Sequence, residues 1–81
     1  MDLREIFAKN LRRLRNAKRL SQDDLAYEAE VSRSYLSQLE KGEFYASLKT
    51  IAKLASVLGV EGWELLKDEK APRKPKTSSS R

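Results

Sequence analysis

The sequence predicts an all-α domain built from five short helices. Three observations carry this. Apolar residues recur at three- and four-residue steps along most of the chain. Serines at 21, 32 and 47 stand just before such runs, and glycines at 42 and 59 stand just after them, where helices start and stop. No stretch alternates polar and apolar residues over the length of a strand, so no sheet is expected.

The elements follow in order. Over 2–19, Leu3, Ile6, Phe7, Leu11 and Leu14 share one helical stripe, while Arg4, Arg12, Arg13, Lys18 and Arg19 lie largely off it. Ser21 opens the second helix. Asp24 three residues on makes a capping-box pattern, with Asp in place of Glu or Gln. Leu25, Ala26 and Ala29 give that helix a short apolar face. Ser32 opens the third, whose buried side is Val31, Leu36 and Leu39 and whose end is Gly42. Ser47 opens the fourth, with Leu48, Ile51, Ala52, Ala55 and Leu58 as its stripe and Gly59 as its stop. Val60, Trp63, Leu65 and Leu66 form a fifth, closing segment. The folded domain is expected over 1–68. Residues 69–81 are expected to be a disordered basic tail: from Lys70 on there are two prolines, three consecutive serines and no large apolar residue.

Composition narrows the function. At 81 residues the chain allows one small domain. It has no cysteine and no histidine, which excludes disulfides and the usual zinc, haem and iron–sulfur ligand sets. The commonest general base is missing too, and no glycine-rich phosphate cradle is present, so no enzyme, metal or cofactor is expected. No apolar run is long enough to span a bilayer, and no N-terminal stretch resembles a signal peptide. A soluble cytoplasmic protein is expected. The net charge of +5 points to an anionic partner. Yet residues 70–81 hold five basic groups and no acid, so the rest of the chain is close to neutral. It is also divided, net +5 over residues 1–20 and net −5 over residues 21–69.

The second and third helices, about residues 21–41, form the informative pair. They are short, about three residues apart, and the second of them is serine-capped and starts with polar side chains. That is a helix-turn-helix, whose second helix enters the major groove of DNA. Close crossing needs small residues on the first helix, and Ala26 and Ala29 supply them. Arg33, Ser34, Ser37 and Gln38 lie outward on the second; Leu36 and Leu39 lie inward.

Taken together, Arg15, Leu20–Ala26, Val31–Gly42, Ser47-Leu48 and Leu54–Val60 resemble the lambda-repressor-like DNA-binding domains (Cro and phage repressor, XRE) over about residues 5–67. Ser32–Ser37 is also similar to the recognition helix of restriction–modification controller proteins. The resemblance implies a compact five-helix domain and a sequence-specific transcriptional regulator. Such a protein would bind a palindromic double-stranded DNA operator as a homodimer, associate with the nucleoid and contact RNA polymerase. It implies that Arg33 reads a guanine edge through its planar fork and that Ser34 and Gln38 assist at base edges. Ser21, Gln22, Ser32, Tyr35, Ser37 and Tyr45 would meet the DNA backbone, with a thymine methyl as Tyr35's alternative target. Arg15 and Glu40 would form a structural pair between helices one and three. Val60, Trp63, Leu65 and Leu66 would either close the core or form the dimer interface. The tail would be a non-specific DNA arm or an inert extension.

Two positions depart from the family pattern. Glu30 stands where a glycine is common, and a left-handed backbone there would cost about 1 kcal/mol. The loop after Gly42 reads Glu43-Phe44-Tyr45-Ala46, where a basic residue is usual, so its aromatics either pack under helix three or touch DNA sugar. An adaptor that kept the fold but lost operator binding is the competing reading. The acidic 21–69 half and the Phe44-Tyr45 pair motivate it, and the polar outward face of helix three argues against it.

Overall fold

A computed structural model describes residues 2–68. The expected disordered tail, 69–81, lies outside the described residues. Four α-helices and one 3₁₀ turn make up the described part, all-α as expected but with four helices rather than five. They are α1 (Leu3–Ala17), α2 (Gln22–Ala29), α3 (Arg33–Glu40), α4 (Leu48–Leu58) and the 3₁₀ turn Gly62–Leu65. Few residues lie between the stop at Gly59 and the end of the apolar segment. Gly62 sits among them, and glycine disfavours helix, so the fifth element closes as one tight turn.

Each helix start is built from a side chain. Ser21, Ser32 and Ser47 accept from the backbone N–H of Asp24, Tyr35 and Thr50 at 3.0, 3.0 and 3.1 Å. Asp24 returns the bond, its Oδ2 accepting from the Ser21 N–H at 3.3 Å. Asp2 caps α1 by accepting from the Arg4 N–H at 2.9 Å. The Arg4 guanidinium grips the same carboxylate, and these hydrogen bonds hold the Asp2 pKa below the ordinary carboxylate value.

The four helix ends also share one construction. An N–H two or three residues past the helix end reaches back five positions: Leu20 to Arg15, Val31 to Ala26, Glu43 to Gln38 and Val60 to Ala55. Each wrap needs a left-handed residue, and Arg19, Glu30, Gly42 and Gly59 occupy it at φ of 60°, 61°, 76° and 72°. Two are glycines and two are not. Arg19 ends α1 at Ala17, two residues before the expected boundary. Glu30 adopts the strained conformation that its position demands.

The core is Phe7, Leu11, Leu25, Ala26, Ala29, Leu36, Leu39, Ile51, Leu54, Ala55, Leu58 and Leu65. α3 packs against α1 and α2, α4 against α2, and the 3₁₀ turn against α1 and α4. Several expected stripe positions lie outside it: Leu48 is 82% exposed, Leu3 is 50% exposed, Ala52 is exposed, and Ile6 is half-buried. Conversely, the stripe of α1 buries a polar residue. Asn10 donates from Nδ2 to the carbonyls of Leu65 and Lys67 at 2.9 and 2.8 Å, fastening the chain after the 3₁₀ turn to α1. Burying an amide is tolerable only with such partners.

Candidate nucleic-acid interface

The turn between α2 and α3 is Glu30-Val31-Ser32. The left-handed Glu30 reverses the chain, Val31 packs on the core, and Ser32 restarts the helix. With Leu36 and Leu39 fully buried, the opposite side of α3 is fixed outward. Arg33, Ser34, Ser37, Gln38 and Lys41 border one shallow groove along it, at helical positions that share a face. Four of these five were singled out from sequence. Lys41, exposed at the end of α3, extends the groove with a second cation.

Behind that face lies a chain of hydrogen bonds. Glu40 is 3% exposed. Its carboxylate sits in the fork of Arg15, with Nε donating at 2.7 Å and Nη2 at 3.1 Å. Arg15 Nη1 donates onward to the Leu20 carbonyl at 2.8 Å. Arg12 donates to the Glu40 backbone carbonyl. The pair thus ties α1 to α3 with well-matched, bidentate geometry.

Glu40 Oε1 also accepts from Gln22 Nε2 at 3.0 Å, and Gln22 Oε1 accepts from Arg33 Nε at 3.3 Å. Charge fixes the amide's direction. A carboxylate can only accept and a guanidinium can only donate, so the Gln22 amine must face Glu40 and its oxygen must face Arg33. The first residue of α2 therefore buttresses the first residue of α3. Sequence reasoning placed Gln22 at a phosphate. In the structure its side chain bridges Glu40 and Arg33 at the head of α2.

The other backbone candidates are spread around this face. The hydroxyls of Ser21 and Ser32 are both engaged as caps, and each retains its own proton to donate. Tyr35 stacks on Phe44 with ring centroids 6.4 Å apart, so the first aromatic of the loop packs against α3. Tyr45 instead carries the Arg4 guanidinium 4.8 Å over its ring. It is 68% exposed.

The four residues of the closing segment separate. Leu65 is fully buried and belongs to the core, with no side-chain surface for a partner. Trp63 is 60% exposed. With Leu48, Ala52, Val60 and Leu66 it lines an apolar groove on the outer side of α4.

The arrangement defines a helix-turn-helix DNA-binding regulator. Residues 11–62 match the helix-turn-helix family, and the chain belongs to it. A hypothetical transcription factor of Neisseria meningitidis is 38% identical over 65 residues, covering 80% of this chain and 61% of that protein. Control protein C.BamHI of Bacillus amyloliquefaciens is 36% identical over 66 residues, covering 80% of this chain and 82% of that one. The crystal structure of the restriction–modification controller protein C.AhdI from Aeromonas hydrophila superposes with a TM-score of 0.74 at 44% identity, covering 76% of this chain and 94% of that one. Such proteins are transcriptional regulators rather than enzymes, and this chain is a DNA-binding regulator. Among the described residues no helix is long and apolar enough to cross a membrane.

Proposed function

We propose that two copies of this chain bind a palindromic operator, each laying α3 in the major groove with Arg33 against a guanine edge. The observation that carries this is the buttress. Arg33 is 59% exposed and donates from Nε to Gln22, with Nη1 3.7 Å from Asp23, so its guanidinium is steered over the outward face of α3. Ser34 and Gln38 share its groove and assist at neighbouring bases. Ser21, Ser32, Ser37, Tyr35 and Tyr45, with the head of α2 at Gln22, surround that face and serve the backbone. The groove of Leu48, Val60, Trp63 and Leu66 is the proposed dimer face, because Leu48 and Trp63 are exposed there beside Val60 and Leu66, which the core only partly buries. Restriction–modification control is the setting that the relatives' names favour. The proposal includes a place at the nucleoid in the cytoplasm and contact with RNA polymerase, the enzyme a DNA-bound regulator helps or blocks.

Selection from a random-sequence pool tests the reading. The expected winner is a palindrome with half-sites about 34 Å apart, one helical turn, bound by two copies in sedimentation. Absence of an enriched sequence, or one copy on a lone half-site, contradicts it.

A further inference from the structure

The loop between Gly42 and Ser47 reads Glu43-Phe44-Tyr45-Ala46 and carries no cation with which to hold a phosphate. Its aromatics are nonetheless firmly placed. The Glu43 N–H donates to the Gln38 carbonyl at 3.1 Å, and Ala46 packs on the core just before the Ser47 cap. Between these fixed points Phe44 borders an apolar recess with Phe7, Ile51 and Leu66. Its ring also lies against Tyr35 of α3, with centroids 6.4 Å apart and planes 29° from parallel. That separation is within the range of an offset stack. Tyr35 is half-buried, and its hydroxyl makes no hydrogen bond to any described residue. A steadied ring with an unspent donor suits a phosphate oxygen.

Resting on the proposal that Tyr35 serves the DNA backbone, we propose that Phe44 is a positioning residue for DNA binding, acting by holding the Tyr35 ring. Without the stack, the side-chain torsions of Tyr35 must be frozen when its hydroxyl meets a phosphate, and that ordering weakens association. With the stack, part of the ordering is complete before DNA arrives. Phenylalanine suits the task because its ring is flat and rigid and has no polar group to claim the hydroxyl. The loop thus supports a neutral donor on α3 instead of supplying a charge of its own.

The test is a double-mutant cycle in the full chain, with affinity for the selected operator read by fluorescence anisotropy. Phe44→Ala should weaken binding about two- to tenfold, the cost of ordering one side chain. Tyr35→Phe, which keeps the ring and removes the hydroxyl, should also weaken it. In the Tyr35→Phe background, Phe44→Ala should cost little more, because no hydroxyl remains to be placed. Phe44→Tyr keeps a ring in the stack and should retain wild-type affinity. If circular dichroism shows that Phe44→Ala does not fold, Phe44→Leu takes its place, filling the space without a flat ring. Unchanged affinity on losing the Phe44 ring, the same fold loss in both backgrounds, or a loss for Phe44→Tyr as large as that for Phe44→Ala overturns the proposal. A purely packing role gives that same fold loss in both backgrounds. Failure of the underlying reading is seen separately, as Tyr35→Phe binding as tightly as the wild type or a wild-type protein that selects no sequence, and it removes the proposal as well.

Discussion

Replacing Glu40 by alanine removes the acceptor that ties α1, α2 and α3 together. Its carboxylate accepts from Arg15 Nε, Arg15 Nη2 and Gln22 Nε2 at 2.7, 3.1 and 3.0 Å. With that carboxylate gone, the Arg15 side chain, 15% exposed, keeps only the Leu20 carbonyl at 2.8 Å. Breaking a buried pair by removing one partner costs about 3–5 kcal/mol. The remaining carbonyl and the partial exposure of Arg15 place this case at the lower end, about 3 kcal/mol. For a domain of this size that is a large share of the total, and it corresponds to a Tm lower by about 12–24 °C. Urea unfolding followed by far-UV circular dichroism measures it, as a shift of midpoint at unchanged slope. The double variant Arg15→Met with Glu40→Leu removes both charges and should recover at least half of the loss. A loss below about 1 kcal/mol for Glu40→Ala, or a double variant no more stable than it, refutes the reasoning.

Further outcomes follow from the caps and the anchor. Glu30→Gly should stabilise the domain by about 0.5–1 kcal/mol in the same melts, since it relieves a left-handed side chain at some cost in chain entropy. Asn10→Ala should cost about 1–3 kcal/mol and speed amide exchange in the 3₁₀ turn, because the Leu65 and Lys67 carbonyls lose their donor. The Asp2 cap should be fully effective above the ordinary carboxylate pKa and fade as pH falls through its lowered folded value. A pH series of melts on wild type and Asp2→Ala should therefore differ at neutral pH and converge in acid.

What the sequence disclosed was mostly local. The serine caps and the two glycine stops depend on residues within a few positions, and those helix ends lie where the pattern put them. Arg19 ended α1 with no such signal, since only the backbone shows a left-handed arginine, whereas Glu30 was marked only by standing where the family commonly has glycine. Leu48 fitted the periodic stripe of α4 but faces outward, because periodicity counts apolar residues without saying what packs on them. Asn10 was readable as a polar residue at a stripe position, and its carbonyl partners lie more than fifty residues away. The buttress of Arg33 is tertiary in the same sense: it joins residues 22, 33 and 40 through one amide whose direction is set by two charges. Family resemblance pointed to the residues, and the geometry supplied the order in which they hold one another.

The central claim is that Arg33 reads a base and is not merely a cation near DNA. Arg33→Ala should be measured on the selected operator and on every single-base variant of one half-site. The expected result is a loss of about 1–3 kcal/mol on the operator, with discrimination relaxed at one base pair and kept at the others. A uniform loss across all variants would mean that Arg33 contacts phosphate, and would contradict it.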